Sequence, residues 1–289
     1  MLFVALQAAC AAGKAQAEAV RLAVIRIDDY IINPVIAEYV RQAIGRAEKE
    51  GYACLVIELD TPGGLLNSTR NVVKDIVNAK VPVVVYISPR GARAGSAGVF
   101  ITLASHVAAM APSTHIGAAH PVPVGGDSRQ RSIQDVLYEF LRYLREKDRG
   151  GEGEGTRHGP EKSPEEPFSE KIMQDTLAWA RAMAEARGRN AAWAEKAVRE
   201  SASQTEREAL EMKIVELIAQ DRRELLTLID GREVKLASGA TVALRTKDAA
   251  VSVIPLTARQ RFLNTIIHPN IAYILMLLGF YGLLFEVTH

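Results

Sequence analysis

The sequence predicts an α/β fold, a parallel sheet covered by helices. Strand-like and helix-like segments alternate from Val20 to Met110, the rhythm of a layered α/β domain. The strand-like runs are continuously apolar rather than alternating, as strands buried on both faces are. Two glycine turns, Asp60-Thr-Pro-Gly-Gly64 and Gly91-Ala-Arg-Ala-Gly-Ser-Ala-Gly98, each follow an apolar run. Open parallel sheets bind ligands there, beyond the carboxyl ends of their strands.

The elements follow in order. Val20 to Ile27 is β-branched and reads as the first strand. Asn33 to Glu50 carries Val35, Ile36, Tyr39, Val40 and Ile44 at helical spacing, and Gly51 ends it. Ala53 to Leu59 is a buried strand, and Leu65 to Ala79 a second amphipathic helix. Val81 to Ser88 is the third strand, Ser96 to Ser105 the third helix, and His106 to Met110 a short fourth strand. Gly125 to Phe168 breaks the rhythm. Within it, Ser132 to Lys147 reads as an amphipathic helix, and Gly150 to Pro167 has the charge, glycine and proline content of a disordered loop. Helical pattern resumes at Ser169, expected as an N-cap, and runs to about Arg187. Asn190 to Glu200 and Thr205 to Met212 are further helices, the second with capping-box spacing between Thr205 and Glu208. Ile214 to Ala219 is a strand, and residues 232–254 alternate around Ser238-Gly239 as a hairpin or small β element.

Both ends carry membrane signals. Residues 1–17 read as a secretory signal peptide that lacks its basic n-region, with Ala15-Gln-Ala17 as the cleavage site. Pro269 to Phe285 holds 17 residues without a charge, with Tyr273 and Tyr281 placed for the interfaces, so a first transmembrane segment is expected within residues 258–289. The net charge of +1 excludes a basic nucleic-acid footprint. The two cysteines, Cys10 and Cys54, make no disulfide framework, and Cys54 inside an apolar strand reads as a buried thiol.

The chemistry centres on Ser96. It lies between small residues where a strand turns into a helix, among the unpaired amide donors of the helix N-terminus. Acyl-transfer nucleophiles need such donors to hold a developing oxyanion. The Gly63-Gly64 turn, one strand–helix unit earlier, offers a second set. A serine nucleophile needs a base. His106, His115 and His120 follow within the next turns, and Lys171 lies near the start of a helix beside Ile172 and Met173. A lysine base must be an uncharged amine, which burial and a helix N-terminus both favour.

The ordered set Thr61-Pro-Gly-Gly64, Gly91 to Gly98, Ala111-Pro-Ser-Thr-His-Ile-Gly-Ala-Ala-His-Pro121 and Gly188-Arg-Asn-Ala191 resembles the NfeD, or stomatin operon partner, family of membrane-bound serine proteases. These are relatives of ClpP and signal peptide peptidase A. The resemblance runs from about residue 20 to the end. It implies a ClpP/crotonase-like α/β fold, a serine–lysine dyad, and cleavage of apolar segments of membrane-associated proteins, with stomatin-like proteins as partners. Carried over, Ser96 is the nucleophile, Gly63 or Gly64 with Ala97 forms the oxyanion pocket, and no metal or organic cofactor takes part. For the base, archaeal members point to the position of Arg181, which stays protonated, and bacterial-looking members to Lys171. Lys147 and Lys162 lie beside or within the loop. Lys171 is the expected base.

The resulting organisation is a signal peptide at 1–17, a ClpP-like protease domain at 20–230 with an insert at about 149–168, a small β element at 231–257, and a juxtamembrane helix with the first span at 258–289. The chain is expected at the inner membrane of a prokaryote as a homo-oligomer, dimer or larger, in contact with the lipid bilayer. A signal peptide places the catalytic domain outside the cytoplasm, although Arg259 and Arg261 before the span pull the other way. Rival readings are a Ser96–His120 peptidase, a non-catalytic scaffold for stomatin-like partners, and acyl-CoA chemistry, for which the chain offers no adenine-binding feature.

Overall fold

The computed structural model describes residues 20–121, 166–267 and 269–288. The signal peptide at 1–17, the helix expected over Ser132 to Lys147 and most of the Gly150 to Pro167 loop lie outside them.

Six strands form one sheet: β1 (Arg21–Ile27), β2 (Leu55–Leu59), β3 (Val83–Ile87), β5 (Val107–Met110), β8 (Leu217–Ile218) and β11 (Ala250–Val253). Their spatial order is β11-β1-β2-β3-β5-β8, and every neighbouring pair is parallel. Alternation along each strand feeds two cores. Ala23, Ile25 and Ile27 with Leu55, Ile57 and Leu59 pack into one, and Leu22, Val24, Val56 and Val84 into the other. Burial of both faces accounts for the largely apolar runs, broken by Arg26 in β1 and Glu58 in β2. Truncating a side chain such as Ile57 to alanine would cost about 2–5 kcal/mol.

The first core is covered by α1 (Pro34–Lys49), α2 (Leu66–Val77), α3 (Ala97–Ala104), α4 (Glu166–Ala186) and α5 (Ala191–Arg199). Asn33 caps α1, accepting from the N–H groups of Val35 and Ile36 at 2.9 and 3.0 Å, with Pro34 in the first turn. The other core lies under α7 (Arg222–Leu228) and the hairpin of β9 (Glu233–Lys235) and β10 (Thr241–Ala243). α6 (Glu206–Glu211) opens with the expected capping box between Thr205 and Glu208.

Three points depart from the sequence reading. Helix α4 begins at Glu166, so Pro167 and Ser169 lie inside it rather than in the loop and at the cap; proline is tolerated in a first turn because its missing N–H has no helical partner. Residues 250–253 do not belong to a separate β element but pair with β1 as an edge of the main sheet. The C-terminal region is two helices, α8 (Ala258–Ile267) and α9 (Pro269–Thr288). No single described helix is long and apolar enough to cross a membrane; α8 and residues 271–286, bent by 73°, have the length and composition only together.

A second, three-stranded sheet sits at the carboxyl ends of the main strands. It comprises β4 (Arg93–Gly95), β6 (His115–Gly117) and β7 (Ser203–Thr205), in the order β4-β6-β7. Thr61, just past β2, bridges to Ala94, with Thr61 N–H donating to Arg93 O at 2.8 Å and Gly95 N–H to Thr61 O at 3.0 Å. This platform fixes the turn that carries Ser96.

Candidate active site

Ser96 joins β4 to α3 with φ 45° and ψ −101°, a backbone conformation that non-glycine residues avoid at a cost of about 1–3 kcal/mol. Its N–H donates to Gly117 O at 3.0 Å, so β6 holds the strained turn from one side. An ordinary cap serine turns its oxygen onto its own helix. Ser96 does not: its side chain makes no capping bond, and among the described residues Oγ has no hydrogen-bond partner. The residue is half-buried. The Ala97 and Gly98 N–H groups, the first two of α3, meet no acceptor among the described residues. α3 itself is buried along its whole length, which keeps its amide dipoles away from water.

The two glycines of the preceding turn have different jobs. A Cβ on Gly63 would lie 2.8 Å from Ser96 Cβ and 3.4 Å from Oγ, so this residue is bare to make room for the serine. Its φ of 137° also favours glycine. Its N–H is committed, donating to Thr61 Oγ1 at 3.1 Å, while that hydroxyl donates to Tyr30 O at 2.7 Å. Gly64 is packed on the other side, where a Cβ would lie 2.4 Å from Ile32 O. Gly63 O and Leu65 N–H make the bridge to Ile32. The Gly64 N–H therefore points away from Ile32, because successive strand amides alternate. Gly64 is exposed, and its N–H meets no acceptor among the described residues. Gly64, not Gly63, has the available donor.

Contacts at two levels set the direction of α4 against α3. Phe100 of α3 stacks on Trp179 of α4 with ring centroids 4.2 Å apart and planes 10° from parallel. Arg187, just past α4, donates from Nε to Ala104 O at 3.1 Å. The helices thus run the same way, and stepping back one turn from Phe100 reaches Ser96 as one turn back from Trp179 reaches Asp175. Lys171 is exposed and one turn further out, about 6 Å along the helix. Arg181 lies past Trp179 in the opposite direction and forms an ion pair with Glu195 of α5 at 2.5 Å. Lys147 and Lys162 fall outside the described residues.

The histidines are dispersed. His106 precedes β5 at the amino ends of the strands, where its Nδ1 accepts from Val83 N–H at 3.1 Å; Ser96 lies past their carboxyl ends. Burial, and then the charges of Arg187 and Arg189, pull the His106 pKa down to about 3. His120 is exposed and its Nδ1 donates to Val198 O of α5 at 3.1 Å. His115 is exposed on β6. Cys54 is a buried thiol with its pKa pushed up to about 12 by burial. No group of three or more His, Cys, Asp or Glu among the described residues converges as metal ligands do.

Sequence reasoning missed two supports of the site. Thr61 organises the glycine turn through its hydroxyl. Arg189, in the Gly188-Arg-Asn190 run, is buried and anchors the far end of α3: Nη1 donates to Thr102 O at 2.7 Å and Leu103 O at 2.8 Å, while Nε and Nη2 pair with Glu216 at 2.8 Å each. A cation on terminal helix carbonyls is favourable. The run was visible in the sequence, but its partner at 216 was not.

Fold and turn together define the class: a parallel-sheet α/β domain that presents an uncapped serine at the head of a buried helix. Residues 21–148 match the NfeD1b N-terminal domain. The membrane-bound protease PH1510 of Pyrococcus horikoshii is 32% identical over 239 residues, 82% of this chain and 46% of that protein. Membrane protein NfeD1b of Bacillus subtilis is 28% identical over 101 residues, 35% of this chain and 22% of the other. Two solved structures of the 1510-N membrane-bound stomatin-specific protease are similar. One, with a lysine replaced by alanine and a substrate peptide bound, has a TM-score of 0.68 at 28% identity and covers 86% of this chain and 98% of its own. The other, with a serine replaced by alanine, has a TM-score of 0.64 at 29% identity, covering 82% and 98%. The chain is thus similar to NfeD1b over its amino-terminal part and to a membrane-bound protease over most of its length. It spans less than half the length of the curated relatives it matches.

Proposed function

We propose that this chain is the proteolytic part of a membrane-bound serine endopeptidase with a Ser96–Lys171 dyad. The observation that carries the reading is the strained Ser96 turn, with Oγ making no bond to the helix it heads. A plain cap would gain stability by relaxing and bonding; the cost of this geometry fits a nucleophile.

In the proposed cycle the Lys171 amine takes the proton of Ser96 Oγ, which attacks the peptide carbonyl carbon. The Ala97 and Gly64 N–H groups hold the tetrahedral oxyanion, aided by the α3 dipole. Lys171 then gives its proton to the leaving amine. A water, deprotonated by the same amine, hydrolyses the acyl ester and restores the serine. Exposed Ile31 and Leu65 flank the Ile32–Gly64 bridge and give the cleft an apolar rim, in keeping with an extended apolar peptide laid along the glycine turn. The substrate class is a stomatin-like membrane protein, by analogy with the relative named for stomatin specificity. The α8–α9 pair holds the domain at the bilayer.

The test is hydrolysis of apolar peptides across pH by the wild type and by Ser96→Ala, Lys171→Ala, Arg181→Ala and His120→Ala. Ser96→Ala and Lys171→Ala should each lose about 10³-fold or more in kcat, the scale on which one member of a nucleophile–base unit matters. Arg181→Ala and His120→Ala should keep activity. Full activity in Lys171→Ala with loss in His120→Ala would overturn the dyad, and full activity in Ser96→Ala would overturn the enzyme.

A further inference from the structure

Arg70 of α2 has three relations that no cleavage step uses. Its guanidinium lies over the Trp179 ring, with Cζ 5.1 Å from the centroid. Its Nη2 pairs with the Asp175 carboxylate. Its Nε is buried without a hydrogen-bond partner. Trp179 in turn stacks on Phe100, one turn into the helix that Ser96 heads. Asp175 and Trp179 are four residues apart, so they lie in one row on α4. Lys171 is the next member of that row toward the amino end.

We infer that Arg70 is a positioning residue that sets the register of the first turns of α4, and through them the approach of Lys171 to Ser96. The inference rests on the serine–lysine reading above. The physical need is local. The first turns of a helix have few intrahelical bonds and fray, and Lys171 sits in them with an exposed side chain. Tertiary contacts must supply what the helix end lacks. Ile172 and Met173 are half-buried and Thr176 and Leu177 buried, which fixes the inward face but leaves α4 free to roll or slide about that apolar seam. Arg70 removes that freedom. The charge on Asp175 sets the height of the helix, and the indole face sets its roll. A buried Nε left without an acceptor carries a desolvation cost that the pairing and stacking must offset. The charged groups along this stretch of α4 are Glu170, Lys171 and Asp175, the last paired with Arg70 of α2.

The experiment uses the full chain in detergent with an apolar peptide substrate. Arg70→Met keeps the stem and removes the charge; Asp175→Asn removes the other half of the pair at an exposed position. Both should lower kcat about 10–100-fold with KM within about twofold of wild type, since a misplacement near 1 Å costs about 10²-fold. Both should also move the rising limb of the kcat–pH profile and speed amide hydrogen exchange over residues 170–178. Arg70→Lys should recover part of the rate, because it keeps the charge but not the planar stack. Wild-type kcat and pH limb in both variants, or unchanged exchange, overturns the inference. Full activity in Lys171→Ala instead sinks the dyad; exchange over residues 170–178 then still decides whether Arg70 holds the helix.

Discussion

The Ser96 turn makes a quantitative prediction that separates strain from contacts. Ser96→Gly should make the protein more stable while abolishing hydrolysis. The conformation at φ 45°, ψ −101° costs a residue with a Cβ about 1–3 kcal/mol. Glycine removes that cost but gives the unfolded chain more freedom, worth about 0.5–1 kcal/mol in the other direction. The serine makes no capping bond to lose, and its Cβ faces the bare Cα of Gly63, so little packing is forfeited. The net gain is about 1 kcal/mol, or roughly 2–4 °C in Tm for a domain of this size. Ser96→Ala keeps the Cβ and the strain, so it should be as inactive as Ser96→Gly yet no more stable than wild type. Calorimetry of the three proteins in one detergent measures the differences. Refutation would be a Ser96→Gly protein that melts with or below Ser96→Ala, since the turn would then hold no strain to release.

The other predictions concern Arg189, which supports α3, and His106, which accepts from Val83 N–H. Arg189→Met should cost about 3–5 kcal/mol in denaturant titrations, because Glu216 would keep a largely buried charge without its partner; adding Glu216→Gln should recover part of the loss, and a single-variant cost under about 1 kcal/mol would mean the pair does not anchor the helix. His106 should make the protein acid-labile. Its folded pKa of about 3 lies below the ordinary 6.5, so its contribution is complete above pH 6.5 and is lost as pH falls toward 3, with a slope of up to about 1.4 kcal/mol per pH unit. His106→Gln, which can still accept from Val83 N–H, should flatten stability between those pH values; an unchanged acid limb would assign the lability to other groups.

Local signals carried the larger architecture. Val81 to Ser88 and Ala53 to Leu59 were readable because strands covered on both sides are apolar at nearly every position, Glu58 being the charged exception. Asn33 and the Thr205–Glu208 pair were readable because caps act over three or four residues. Strands β4, β6 and β7 were not, since three-residue strands carry no periodicity. Helix α4 was expected to start at Ser169 because a cap signal was visible, whereas it starts at Glu166 with proline in its first turn.

The same division runs through the site. By itself, the chain determined that a small hydroxyl residue would stand at a strand-to-helix turn beside a glycine pair, since these are short-range demands of sterics and amide geometry. Only the tertiary structure decided how the glycines divide their work, with Gly63 yielding space to Ser96 and Gly64 leaving an amide open. Only it tied Arg181 to Glu195, drew Arg189 to Glu216, and set Arg70 against Asp175 and Trp179. Those partners are 14 to 109 positions apart, and no local rule links residues whose meeting depends on how helices lie across a sheet.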